Sequence, residues 1–158
     1  MGDVYARIRE LGCELPESPP AGGVYRPVKQ VGDLLYVSGQ GATVQGVPAI
    51  VGKLGADCTL EQGQAAARLC ALNALATLHR YLGDLNRIRS VVKTLGFIQS
   101  APGFNRQPEV LNGCSIFLRD LLGDAGVGAR SAIGVNELPG NIACEVEFII
   151  EIHPWGRD

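Results

Sequence analysis

Arg130 and Glu145 are the residues whose types and spacing most invite chemistry. Residues 128–139 read as a strand that opens on the arginine and ends in a Leu138-Pro139 turn. A second strand, 142–152, follows after two residues and carries the glutamate. A guanidinium holds a small carboxylate through two parallel hydrogen bonds. A nearby carboxylate orders and polarises a water. Together they would make a small hydrolytic site for an organic acid. From spacing alone, the plainer reading of one Arg and one Glu on adjacent strands is a cross-strand ion pair.

The other reactive side chains offer less. The five cysteines, Cys13, Cys58, Cys70, Cys114 and Cys144, are odd in number, and no two are separated by only two residues. That suggests neither a disulfide framework nor a zinc site, and fits reduced thiols in a cytoplasmic protein. Cys70, Cys114 and Cys144 fall within apolar periodic patterns and read as small core residues. The two histidines, His79 and His153, lie in a helix and at a strand end, and neither the histidines nor the cysteines cluster. They give no basis for a catalytic dyad or triad. A net charge of -2 gives no general attraction to nucleic acid or anionic membrane. No apolar run is long enough to span a bilayer. The N-terminus has neither the basic region nor the apolar core of a secretory signal, and it lacks the hydroxyl residue of a myristoylation site.

These groups need elements to position them. In 158 residues, 46% of them apolar, the chain has the length and composition of one domain with a sizeable core. Residues 4–11 suggest a short helix, and the proline- and glycine-rich stretch 15–23 a connecting loop. Two short strands, 28–30 and 34–38, flank a Val31-Gly32-Asp33 turn. Gln45-Gly46 marks another turn, and 48–51 a further short strand. Thr59-Leu60-Glu61-Gln62 is a capping box, so a helix starts there and runs to about Leu82, with Gly83 as its stop. Residues 88–98 are β-branched and strand-like. Pro108 opens a second helix that ends at Gly123.

The order strands, helix, strand, helix, strands predicts an α+β domain with one mixed sheet and two long helices on one face. Residues 1–23 form an N-terminal extension and loop, and no internal linker divides 1–158. In the last strand Ile142, Cys144, Val146, Phe148, Ile150 and Ile152 face one way. Ala143, Glu145, Glu147, Ile149 and Glu151 face the other. The acidic set, together with Arg130, Ala132 and Gly134 of the preceding strand, is expected on the sheet surface that the helices leave bare. Self-association around a threefold axis would cover it.

From about Tyr25 to His153 the chain resembles the Rid family (reactive intermediate deaminases, also called the YjgF family). The landmarks run in the family's order: Tyr25; Tyr36-Val37-Ser38-Gly39-Gln40; the long helix; Gln107-Pro108 with Asn112 on the second helix; then Arg130, Leu138-Pro139 and Glu145. The resemblance implies a chorismate-mutase-like fold, a homotrimer, and sites in the clefts between subunits. It also implies hydrolysis, without a cofactor, of reactive enamines and imines such as 2-aminoacrylate to 2-oxo acids and ammonia. Ala132 stands where the archetype often has a cysteine, and Gly134 where it has a larger side chain. The extension before Tyr25 and the loop 43–56 also differ, which marks a divergent branch.

Carried onto this chain, the resemblance gives Arg130 the substrate carboxylate and Glu145 the attacking water. Tyr25 closes the pocket with its ring and donates its hydroxyl. Ser38 and Gly39 shape the wall, and Asn112 hydrogen-bonds the ligand or the cleft backbone. Each has a plain alternative: an ion pair for Arg130, a solvated face for Glu145, a rim tyrosine, an ordinary strand end, an exposed helix amide. The alternative function is a non-catalytic protein that binds a small metabolite, or regulates, through the same cleft. A ribonuclease reading is weaker, because the chain lacks a basic patch with interleaved aromatics.

Overall fold

The computed structural model describes residues 2–154. Met1, where the N-terminal signal reading begins, and 155–158, the end of the expected single domain, lie outside the described residues. The elements are α1 (Val4–Glu10), β1 (Val28–Val31), β2 (Leu34–Gly41), β3 (Thr43–Val44), β4 (Val47–Pro48), α2 (Leu60–Leu82), β5 (Ile88–Gln99), α3 (Gln107–Leu122), β6 (Ala129–Val135) and β7 (Cys144–Ile152). Local chemistry fixes the bounds of α2. The Thr59 hydroxyl accepts from the Gln62 N–H at 3.2 Å, and the Gln62 side chain accepts from the Thr59 N–H at 2.8 Å. At the other end Gly83 takes φ +75°, a left-handed stop that a side chain would strain. The α3 helix starts at Gln107, one residue before the expected Pro108.

One five-stranded sheet has the order β1-β2-β7-β5-β6. Only β5 and β6 run parallel, and α3 supplies the crossover such a pair requires. Both long helices lie on one face, as the pattern predicts. Cys70 of α2 meets the backbone of Cys144 on β7, and Leu111 of α3 fills the space above Gly96 on β5. The apolar set of β7 is buried as expected. Cys70, Cys114 and Cys144 are buried free thiols, and burial pushes the Cys70 and Cys114 thiols far up, which leaves them inert.

Four placements differ from the sequence reading. First, β6 and β7 are not neighbours, because β5 lies between them. Second, Arg130 does not share a face with Glu145. Arg130 pairs in register with Thr94, which pairs with Phe148, so it stands on the helix side. Glu145 pairs with Phe97 and stands on the bare side. The cross-strand ion pair therefore does not form, and Arg130, Ala132 and Gly134 leave the bare surface. Third, Ala143 is buried, because the loop from Ile50 to Leu54 covers it and Ile50 O accepts from its N–H. The expected strand at 48–51 also shortens to Val47–Pro48, with a single bridge from Val51 to Ile142.

The bare face keeps Glu145, Glu147, Ile149 and Glu151, and adds apolar groups from other strands. Tyr36 and Ile133 remain about 45% and 44% exposed, with Leu95 and Phe97 half-buried beside them. Glu151 is bound within the chain by Arg89 at 3.1 Å and by the Ser90 hydroxyl at 2.9 Å.

Candidate functional site

The expected site residues fall into two groups that one chain does not join. The first group sits at the sheet edge between β6 and α3. Arg130 Nη1 donates to Asn112 Oδ1 at 2.8 Å and to Ser115 Oγ at 3.1 Å, and Nη2 reaches Pro108 O at 3.4 Å. Asn112 and Ser115 are three apart on one helix, so both project toward the same strand. They fix the guanidinium in orientation while the residue stays exposed. A hollow of about 290 Å³ opens beside it, lined by Thr94, Ile116, Val127 and Gly128. An oriented guanidinium that no carboxylate among the described residues neutralises, at the mouth of a hollow, is suited to a carboxylate arriving from outside.

The second group surrounds Glu145. A separate hollow of about 300 Å³ is lined by Tyr25, Gly39, Pro139, Gly140 and Glu145. Among the described residues, no hydrogen bond or ion pair engages the Glu145 carboxylate. Burial, and then the charge of Glu147, hold its pKa above the ordinary carboxylate value. Gly39 makes room for it. A Cβ at that position would fall on Glu145 Oε1 and 2.9 Å from Cδ, so any side chain there would displace the carboxylate. A register shift between Val37 and Gln40 creates this geometry, turning Gly39 over the carboxylate while Gln40 drops into the core.

Tyr25 is half-exposed at the rim, and its hydroxyl accepts from the Gly22 N–H at 3.0 Å. Ser38 does not line this hollow. Its hydroxyl donates to Arg26 O at 2.8 Å, which ties down the chain just after Tyr25. Ser38 therefore acts on the position of Tyr25. Along β5, the partners of Arg130 and Glu145 are three residues apart and face opposite ways.

Sequence reading missed the residues that hold this second hollow in shape. Gln99 is fully buried. Its Nε2 donates to Asn141 Oδ1 at 2.7 Å, and its Oε1 accepts from the Leu138 N–H at 2.6 Å. It thus clamps both ends of the Leu138-Pro139 turn, where Gly140 and Asn141 adopt φ of +66° and +57°. Asn73, also buried, donates to Gly41 O at 3.0 Å and Thr43 O at 2.9 Å from α2. A polar amide interrupting an apolar strand or helix face was the available signal in both cases. Among the described residues, no three or more His, Cys, Asp or Glu groups gather to hold a metal. No helix there is long and apolar enough to cross a membrane.

The chain belongs to the YjgF/chorismate-mutase-like family, whose model, described as "YjgF/chorismate_mutase-like, putative endoribonuclease", matches residues 5–152. Protein TCP17 of Trypanosoma cruzi is 38% identical over 153 residues, spanning 96% of this chain and 96% of that protein. The crystal structure of Atu1372 from Agrobacterium tumefaciens is 41% identical with a TM-score of 0.88, covering 95% of this chain and 94% of that one. RidA from an Antarctic Psychrobacter is 25% identical with a TM-score of 0.61, covering 86% of this chain and 94% of that one. The fold and the Rid resemblance expected from the motifs both hold.

Proposed function

We propose that the protein hydrolyses reactive 2-imino acids and their enamine tautomers to 2-oxo acids and ammonia, in clefts built between the subunits of a homotrimer. The observation that carries this reading is the division of the site. Among the described residues, one edge of the chain presents a fixed guanidinium with no carboxylate on it, and another region presents an unpartnered carboxylate over a glycine. Each is half of a device that needs a second copy to complete it. The bare sheet face, with exposed Tyr36 and Ile133, supplies a surface for that assembly. The likeness to RidA supports the same reading.

The steps follow from the groups. Arg130 of one subunit holds the substrate carboxylate. Protonation of the enamine carbon by solvent gives the iminium ion, the protonated imine. A water ordered by Glu145 of the next subunit attacks the iminium carbon as one of its protons passes to the carboxylate, which leaves a neutral carbinolamine. Its nitrogen takes that proton back from Glu145, the C–N bond breaks as the hydroxyl releases its proton to water, and ammonia departs from a carbonyl. Such imines are already electrophilic, so orientation and modest acid-base help suffice. A ribonuclease role has less support. His79 is engaged with the Tyr5 hydroxyl at 2.8 Å, and His153 does not pair with it as acid and base.

The test is release of ammonia from 2-imino acids generated in situ, followed with and without the protein. The proposal expects acceleration over the spontaneous rate, and an unchanged rate over a broad panel would refute it. A pH profile adds a second check. The Glu145 carboxylate must be ionised to take the proton, and its raised pKa means that it loses activity on acidification sooner than an ordinary carboxylate. The acidic limb of kcat/KM should therefore lie above the usual carboxylate range and vanish in Glu145→Gln, which keeps only residual activity.

A further inference from the structure

The Glu145 hollow holds more than a water-positioning carboxylate. Its lining includes five proline rings, from Pro19, Pro20, Pro27, Pro48 and Pro139, and among the described residues Glu145 is its only charged side chain. Three of these prolines come from distant segments: the N-terminal stretch, the β3–β4 hairpin, and the turn after β6. They interlock through glycines. The Pro20 ring fills the space above Gly46, with Cδ 3.4 Å from where a Cβ would stand. The Pro48 ring fills the space above Gly140, with Cγ at 3.0 Å. Both glycines have positive φ, +78° and +66°, a conformation that other residues adopt only with strain.

Such a wall is apolar and rigid. Proline has a fixed φ, no side-chain rotamer freedom to lose, and no N–H to offer a ligand. Two of the polar side chains beside the prolines are engaged with the chain itself. Thr77 Oγ1 donates to Gln40 Oε1 at 3.2 Å, and Gln40 Nε2 donates to Ser38 O at 3.0 Å. The N-terminal extension is anchored to deliver its part of the wall. Val4 and Ile8 are buried, and the Tyr5 hydroxyl accepts from the Leu85 N–H at 2.9 Å. A volume of about 300 Å³ exceeds what a three-carbon acid fills.

Resting on the deaminase reading above, we infer that the preferred substrates are 2-imino acids with bulky apolar side chains, aliphatic or aromatic, and that the proline wall selects them. With Arg130 of the neighbouring subunit holding the carboxylate and Glu145 the water, the remaining substituent on the imine carbon is the one that meets the prolines. Apolar substituents displace water from this wall. An acidic side chain, with Arg130 already taken by the substrate carboxylate, would meet Glu145, the only charged side chain among the described residues that line this hollow.

The experiment uses imines made in situ from alanine, leucine, phenylalanine and glutamate by an amino-acid oxidase and oxygen, with kcat/KM read for each. The leucine- and phenylalanine-derived imines should exceed the alanine-derived one by roughly tenfold or more, with the glutamate-derived imine lowest. Pro20→Gly and Pro48→Gly should draw the phenylalanine-to-alanine ratio toward one. The inference is overturned if the alanine-derived imine equals or exceeds the bulky ones, or if the ratio survives in folded proline variants. That result leaves the deaminase reading standing, whereas no acceleration on any imine removes both. The panel on the native protein needs no variant to fold.

Discussion

Arg130→Ala loses about 100-fold or more of the acceleration on every imino acid, because the fixed guanidinium is the group proposed to hold the substrate carboxylate. The fold should survive. Arg130 is exposed at a sheet edge, and the groups it engages, Asn112, Ser115 and the Pro108 carbonyl, can turn to water when it is gone. Unfolding temperature and oligomer mass should therefore stay near those of the native protein while turnover falls. Arg130→Lys should recover little, since a point charge does not reproduce the two-pronged contact. A variant that turns over at the native rate would remove Arg130 from the site.

Gly39→Ala is expected to have a comparable effect from the other half of the cleft. The added methyl would occupy the position of the Glu145 carboxylate oxygen, so that side chain must swing away. A displacement of about 1 Å at a group that positions water costs on the order of 100-fold in rate. The strand itself tolerates a methyl, so most of the loss should appear in turnover. Measured kinetics beside thermal unfolding separate the two effects. A fully active Gly39→Ala protein would show that the Glu145 position is not needed where the structure places it.

The sequence spoke most clearly where structure depends on near neighbours. Thr59 and Gln62 begin α2 and Gly83 ends it through contacts within one turn, so the bounds of that helix were readable directly. The alternation in β7 likewise identified Cys144, Val146, Phe148 and Ile150 as core, because strand geometry alone sets a period of two. Strand neighbours depend instead on long-range pairing. Residues 129–135 and 144–152 adjoin in sequence, yet β5 inserts between them because α3 carries the chain back to a parallel partner. That insertion, with its register, is why Arg130 and Glu145 stand on opposite faces.

The candidate residues were named by motif, and their division between two hollows was not. Nothing local to Ser38 shows that its hydroxyl serves the backbone of Arg26. Nothing local to Gln99 shows that it clamps a turn whose residues lie 39 and 42 positions away. The proline wall was hidden for the same reason. Pro20 reads as part of a connecting loop, Pro48 as the start of a short strand and Pro139 as a turn, and only the fold brings them to one cavity.

The division of the site sets the decisive measurement. Arg130→Ala and Glu145→Gln proteins should each be nearly inactive alone. After mixing in equal amounts and exchange of subunits, confirmed by mass spectrometry of the mixed assemblies, activity should return to about a quarter of the native value. One cleft in four then takes an intact Arg130 from one chain and an intact Glu145 from its neighbour. Mixed assemblies that remain as inactive as their parents would contradict a cleft shared between subunits, and with it the proposed pairing of Arg130 and Glu145 in one reaction.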